Sequence, residues 1–142
     1  MNLFKFEVVT PDRKFYESDV QMIVFKTSDG EIGIMANHEP MLIANTAGKL
    51  KIKCGSETKY AFISEGIIEV TNEKVRAIVD IAQWLEEIDI NEALEDKKML
   101  EKKLKSEKMD LEMRAELIAS IERAKGKIRL KNNIDWITKS VI

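Results

Sequence analysis

The feature that most constrains the fold is a change of sequence pattern near Glu86. Before this point, short alternations of apolar and polar residues are separated at regular intervals by turn residues. After it, residues 89–129 contain no proline, and Gly126 is the only glycine. Alternation with a period of two predicts half-buried strands, whereas a long stretch without helix breakers predicts helices. The chain is therefore predicted to contain two units, residues 1–86 and residues 87–142.

The first unit has the pattern of several short strands. In two runs, apolar and charged residues alternate regularly: Phe4, Lys5, Phe6, Glu7 and Val8, then Lys49, Leu50, Lys51, Ile52 and Lys53. Val20, Met22 and Val24 are predicted to share one face of another strand, and Asp29-Gly30 suits a tight hairpin turn. Many short strands with regular turn signals predict an antiparallel β-sandwich or flattened barrel.

The second unit is predicted to be an antiparallel pair of helices, which makes the fold class α+β. Apolar residues recur at spacings of three and four in two stripes. The first is Ile90, Ala93, Leu94, Leu100 and Leu104, with Lys97 filling the gap between Leu94 and Leu100, and the second is Met113, Leu117, Ile121, Ala124 and Ile128. Asp89 and Glu92 form a capping-box pattern at the first helix, and Asp110 is the expected cap of the second. The polar segment 106–110 joins them, and a short tail follows. Because the stripes contain alanines and no aromatic residue, the hairpin core is expected to be thin and the hairpin mobile.

Two tryptophans lie outside these stripes. Trp84, at the junction of the two units, is expected to pack the helices onto the sandwich. Trp136 lies in the tail with Ile134, Ile137 and Val141, where the four could form an apolar patch. Such a patch would indicate a partner contact if it were exposed.

Composition argues against nucleic-acid binding and membrane insertion. The net charge is −2, with −4 in residues 1–88 and +2 in residues 89–142. No segment approaches the ~18 apolar residues of a membrane span, and the N-terminus lacks the apolar run of a signal peptide. The single cysteine, Cys54, excludes an internal disulfide and suits a reducing compartment. These features predict a cytoplasmic protein.

The sequence offers few parts for an active site. His38 is the only histidine, and it lies in a loop-like stretch without a neighbouring catalytic partner. An acid pair drawn from Asp29, Glu31 and Glu39 would support a free-standing sandwich enzyme, although acids near glycine usually form turns. We found no glycine-rich phosphate loop and no metal-ligand spacing. The chain is therefore predicted not to be an enzyme, to bind no metal and to need no cofactor.

Several fragments, in their order and spacing, resemble the epsilon-subunit family of F-type ATP synthases along nearly the whole chain. These fragments are residues 9–16, 27–34, 37–40, 62–70 and 80–82. The resemblance implies a non-catalytic central-stalk subunit, held peripherally at the cytoplasmic face of a bacterial cell membrane by its complex. Its β-sandwich would bind the gamma subunit and the c-ring, and its hairpin would either fold down or extend toward the alpha and beta subunits. Extension would block ATP hydrolysis. Whether the complex carries protons or sodium depends on the c subunit.

The resemblance also implies two sets of contact residues. The expected gamma and c-ring contacts are Asn37, His38, Glu39, Pro40 and Met41. The expected contacts with an acidic loop of the catalytic beta subunit are Arg114, Arg123, Lys125, Lys127 and Arg129. The alternative interpretation of the second set is a solvated basic face near a helix C-terminus.

Some family members bind ATP in the hairpin through an Ile/Leu-Asp-x-x-Arg-Ala motif and arginines of the second helix. Residues 88–93 resemble that motif, but Glu92 stands in place of its arginine. With Asp89, Arg123 and Lys127 as the remaining candidates, at most weak ATP binding is expected, because Glu92 repels a phosphate. An ATP-sensing module remains the alternative function.

Overall fold

A computed structural model describes residues 2–106 and 108–141, with side chains described through residue 132. The chain divides into two compact units, Met1–Trp84 and Leu85–Ile142. The division follows Trp84, two residues before the boundary predicted from the sequence.

The first unit is a β-sandwich of ten strands. They are β1 (Phe4–Val9), β2 (Lys14–Val20), β3 (Met22–Thr27), β4 (Gly30–Met35), β5 (Met41–Asn45), β6 (Gly48–Cys54), β7 (Glu57–Ile63), β8 (Gly66–Val70), β9 (Lys74–Val79) and β10 (Ala82–Trp84). Sheet A has the order β2-β1-β9-β8-β5 and sheet B the order β10-β7-β6-β3-β4. The strand pairs are antiparallel except β1 with β9, which is parallel. The predicted sandwich is confirmed.

The core contains side chains from both sheets. Its largest fully buried members are Phe6, Phe25, Ile23, Ile34, Leu50, Ile52, Ile63 and Ile68. In β6, Leu50 and Ile52 are buried while Lys49 and Lys51 are half-buried, as the alternation predicts. Burial of about ten large apolar side chains, each contributing ~1.5–3 kcal/mol, is the main driving force for this unit.

One predicted strand face is wrong. Val20 is the last residue of β2, and β3 begins at Met22. In β3 the buried side chains are Ile23 and Phe25, whereas Met22 and Val24 are only half-buried. The chain passes from sheet A to sheet B between Val20 and Met22, so the two strands do not share one alternation.

An aromatic cluster holds the end of β10. Trp84 stacks on Phe15 with ring centroids 4.5 Å apart and meets Tyr16 edge-on at 5.6 Å. The Lys59 ammonium lies 5.5 Å from the Trp84 ring centroid. Because Phe15 and Tyr16 belong to β2 of sheet A and Trp84 to β10 of sheet B, the cluster joins the edges of the two sheets. These contacts were not predicted for Trp84.

The second unit contains a short 3-10 helix, Leu85–Glu87, followed by α1 (Ile90–Ser106) and α2 (Leu111–Val141). Both predicted caps are present. Asp89 Oδ1 accepts hydrogen bonds from the backbone N–H groups of Asn91 and Glu92, at 2.9 and 3.3 Å. Asp110 Oδ1 accepts one from Met113 N–H at 2.8 Å. Each cap satisfies donors that have no partner within the helix.

The helix α2 is longer than the sequence pattern predicts. It has 31 residues against 17 in α1, and it continues through the segment expected to be a tail. No proline or glycine between residues 127 and 141 interrupts it. The proposed patch of Ile134, Trp136, Ile137 and Val141 lies outside the residues whose side chains are described.

Burial in the helical unit is sparse. Among residues 85–106 and 108–132, the buried apolar residues are Ile88, Ala93, Ile121, Ala124 and Leu130, while Leu94, Met99, Leu111, Met113 and Ile118 are exposed. Alanine buries little apolar area, so each helix is held by few large contacts. The thin core expected from the sequence is present in the described residues.

Candidate interaction surfaces

The loop 36–40 connects β4 to β5 at one end of the sandwich. Asn37 adopts a left-handed backbone conformation with φ of 68°, which turns the chain sharply before His38. The His38 Nδ1 atom lies 3.1 Å from the carbonyl oxygen of Glu39. Asn37, Glu39, Pro40 and Met41 are exposed and His38 is half-buried, so this loop presents its side chains outward.

This loop forms one wall of a groove of about 700 Å³. The opposite wall comes from the start of β1 and from the turn between β8 and β9. Two cations of the groove are already paired: Lys5 lies 3.0 Å from Glu17 and Lys74 lies 3.1 Å from Glu7. The groove thus brings the predicted loop together with paired charges.

A row of apolar side chains, most of them exposed, crosses the outer face of sheet A, and it was not predicted from the sequence. Strand register places Val9 beside Ile78, Ile78 beside Ile67, and Ile67 beside Ala44. Leu42 adds to the row from the same face of β5. Ile67 and Ile78 are each 43% exposed and Leu42 is 68% exposed. We call these five residues the apolar row.

The apolar row could have been suspected from β8 and β9. Ile67 and Ile78 stand at the outward positions of strands whose inward residues, Ile68 and Ala77, are fully buried. A strand apolar on both faces indicates that both faces are covered. Exposed apolar surface of this kind, rimmed by polar residues, is typical of a protein–protein contact.

A buried carboxylate lies beside the apolar row on the same sheet face. Only 2% of the Glu7 side chain is exposed, and the carboxylate contacts Arg76 Nε, Lys74 Nζ at 3.1 Å and Lys14 Nζ at 3.4 Å. The hydrogen bond from Arg76 is the main cause that lowers the pKa of Glu7 to about 2, with Lys74 adding to it and burial opposing it. Hydrogen bonds from Lys14 and Lys5 also lower the pKa of Glu17.

The five basic residues predicted on α2 do not form one surface. At 3.6 residues per turn, Arg114, Lys125 and Arg129 lie within an arc of about 60°. Arg123 and Lys127 lie more than about 120° away on the same helix. Arg114 and Arg129 are exposed, whereas Arg123 and Lys127 are half-buried. A single flat partner therefore cannot contact all five residues at once.

The candidate nucleotide residues lie at one level of the hairpin. Ile90 is 16 positions before Ser106, and Lys127 is 16 positions after Leu111, so α1 begins opposite the turn that carries Arg123 and Lys127. Asp89 is engaged as a helix cap, and Glu92 is exposed. Among the described residues, the Glu92 carboxylate does not reach back to Asp89 N–H, so the capping box is one-sided.

The structure separates the residues considered for catalysis. Asp29 precedes β4 and Glu39 follows it, and a strand of six residues spans roughly 20 Å. Glu31 pairs with Lys49 at 3.3 Å, and Cys54 Sγ lies 3.3 Å from the carbonyl oxygen of Asp19.

In the part of the chain that the structure describes, no cluster of three or more His, Cys, Asp or Glu side chains could hold a metal ion. None of the described helices has the length and apolar character needed to cross a membrane.

Comparison with known proteins gives consistent matches. Residues 3–85 match the beta-sandwich domain of the ATP synthase Delta/Epsilon chain. An ATP synthase epsilon chain of Caldicellulosiruptor bescii is 40% identical over 127 residues, covering 89% of this chain and 92% of that protein. The sodium ion specific ATP synthase epsilon chain of Propionigenium modestum is 32% identical, covering 92% of this chain and 94% of that protein.

A solved structure has the same fold. A chain of the Euglena gracilis mitochondrial ATP synthase, determined by cryo-EM as OSCP/F1/c-ring, aligns with a TM-score of 0.73 at 23% identity. The alignment covers 87% of this chain and 78% of that chain.

Proposed function

Because the chain belongs to the delta/epsilon family of ATP synthase subunits, we propose that it is a non-catalytic subunit of the central stalk of an F-type ATP synthase. In this role the sandwich binds the gamma subunit and rests on the c-ring, so that rotation of the ring is transmitted to the catalytic head. The chain is held at the cytoplasmic face of the membrane through these partners.

The observation that carries this proposal is the apolar row on sheet A. A flat sheet face with Ile67 and Ile78 at its centre and Leu42 at its margin fits a partner that offers apolar side chains. The neighbouring charges are paired around Glu7, so docking beside them leaves no unpaired charge from this network. We assign this row to the gamma subunit.

The loop Asn37–Met41 supplies a second part of the proposed gamma and c-ring interface. The left-handed turn at Asn37 fixes the direction of the loop, and His38 is tied to the Glu39 carbonyl. A pre-shaped loop loses less conformational entropy on binding than a flexible one.

Binding to purified gamma subunit tests this assignment. Replacing Ile67 with Glu places a charge at the centre of the apolar row and should weaken gamma binding by at least about 30-fold, because disrupting an interface hot spot costs about 2 kcal/mol or more. Met99→Glu is the matched control, because Met99 is 71% exposed and lies on α1. If Ile67→Glu binds gamma as tightly as the unmodified chain, the row is not the docking surface. His38→Glu measures the loop separately.

We further propose that the hairpin restrains ATP hydrolysis by leaving its folded form and contacting the alpha and beta subunits. The sparse burial in the helical unit supports this role, because few large contacts must be broken for the helices to separate. The basic residues of α2 supply charge for an acidic partner. Because they lie on two sides of the helix, the first contact is assigned to Arg114, Lys125 and Arg129.

A further inference from the structure

Residues 85–89, which we call the linker, lie between the last strand and α1. The linker is hydrogen-bonded to the C-terminal half of α2. The Lys131 ammonium donates a hydrogen bond to the Leu85 carbonyl oxygen at 3.2 Å, across 46 positions of sequence. The same oxygen accepts the Ile88 N–H at 3.2 Å, which closes the 3-10 turn. A hydrogen bond from a charged donor is stronger than one between neutral groups.

The antiparallel hairpin explains why these two residues meet. Leu85 lies 21 positions before the end of α1 at Ser106, and Lys131 lies 20 positions after the start of α2 at Leu111. The apolar stripe of α2 ends at Ile128, and Lys131 belongs to the part of the helix that continues beyond it. Ile88 and Leu130, next to the bonded pair, are each only 4% exposed, and Lys131 is half-buried. This burial limits competition from water for the hydrogen bond.

The residue before Leu85 is held by the other unit. Trp84 is fixed by its stack on Phe15 at 4.5 Å and by the Lys59 ammonium over its ring. Two consecutive residues are therefore anchored to different units, Trp84 to the sandwich and Leu85 to α2. The division of the chain into compact units falls between these same two residues.

We propose that Lys131 is a latch that keeps residues 85–89 within the helical unit. While the latch is closed, residues 85–89 stay bonded to α2. When it opens, residues 85–89 lose this bond and become a flexible segment. The latch itself is independent of any partner. Its regulatory meaning rests on the proposed function, in which the hairpin must leave its folded form.

Proteolysis within the linker can test this proposal. Glu86 and Glu87 are exposed and lie within the 3-10 helix, so a glutamate-specific protease can cut there. Cleavage of a native protein tracks the population of the locally opened form when opening is fast. The test treats the isolated full-length chain with this protease. Mass spectrometry then measures the rate at which the fragments 1–86 and 1–87 appear.

Lys131→Met removes the donor, keeps an unbranched stem and changes helix propensity little. It should speed cleavage at Glu86 and Glu87 about fivefold, the factor expected from one net hydrogen bond. Lys131→Arg retains donors and should restore protection. Lys125→Met, on the same helix, removes only an exposed pair with Glu122 and should cut at the rate of the unmodified chain.

The latch is refuted if Lys131→Met is cut at the unmodified rate, or if Lys125→Met is cut as fast as Lys131→Met. The second result would show general loosening of α2. Because the assay uses the isolated chain, loss of gamma binding would refute the proposed function without changing this outcome.

Discussion

Glu7 and Arg76 are direct neighbours across the parallel pair of β1 and β9, and the Arg76 Nε–H donates to the buried Glu7 carboxylate. The two residues are 69 positions apart in sequence. Lys14 and Lys74 complete the ring of cations around Glu7, so the ion pairs tie β2, β1 and β9 together.

This network predicts how the stability of the sandwich depends on pH. The pKa of Glu7 is about 2 in the folded chain against an ordinary value of 4.5. A carboxyl group whose pKa is lower in the folded state stabilises it above its unfolded pKa, and that contribution is lost as the pH falls through the folded value. Thermal melts should therefore show the difference in Tm between the unmodified chain and Glu7→Gln shrinking from pH 4.5 toward pH 2. Glu57→Gln, at an exposed strand position, is the control. A constant difference across this range would contradict the assignment.

Two strand glycines should respond differently to alanine. A Cβ at Gly66 would lie 2.2 Å from the carbonyl oxygen of Ile78, whereas a Cβ at Gly33 would have its nearest contacts at 3.8 Å. Gly66→Ala should lower the free energy of unfolding by about 2 kcal/mol or more, because the backbone of β9 must shift. Gly33→Ala should change it by less than about 1 kcal/mol. Urea titration measures both, and equal losses would show that the close approach at Gly66 carries no strain.

We expect the sandwich to fold without the helices. A chain ending at Glu87 keeps all ten strands and the Trp84 cluster, and it should melt cooperatively. Trp84→Ala in that shortened chain should cost about 3 kcal/mol, because it removes a large aromatic side chain from its contacts with Phe15 and Tyr16. Circular dichroism melts measure this. A shortened chain without a cooperative transition would show that the sandwich depends on the helices.

Nucleotide binding should be weak and limited by Glu92. Replacing Glu92 with Arg changes an anion into a cation at the level of Arg123 and Lys127, and it should tighten ATP binding by about tenfold in calorimetry. Glu95→Arg makes the same change of charge one turn along α1 and serves as the control. Equal tightening by both variants would indicate a general charge effect, and micromolar binding by the unmodified chain would contradict the role given to Glu92.

Removing residues 89–142 should leave the complex assembled and raise its rate of ATP hydrolysis. Replacing Arg114, Lys125 and Arg129 with Ala should reproduce part of that increase, because the three lie on one side of α2. Replacing Arg123 and Lys127 together with Ala gives the comparison, because these two residues lie on the other side of α2. Exposed charges are screened over about 8 Å at physiological salt, so inhibition should weaken as ionic strength rises. Equal hydrolysis with and without residues 89–142 at low salt would refute the restraint.

Local features were predictable from the sequence because they depend on residues close together in the chain. Asp89 and Asp110 cap the helices through N–H groups two or three positions away. The alternation in β6 places Leu50 and Ile52 inward whichever strands flank it. The ordered family fragments likewise identified the sandwich and its loop at His38 before any contact was known.

Other features were decided only by tertiary structure. The predicted common face of Val20, Met22 and Val24 failed because the chain crosses between the sheets after Val20, and the buried residues of β3 are Ile23 and Phe25. Glu7 alternates like a surface residue, and only the pairing of β1 with β9 brings Arg76 close enough to stabilise its burial. The apolar row arises from four strands in register, and the Lys131–Leu85 hydrogen bond arises from the length of α2. Each of these depends on contacts between distant positions, and a local sequence pattern contains no information about which distant residue will be the partner.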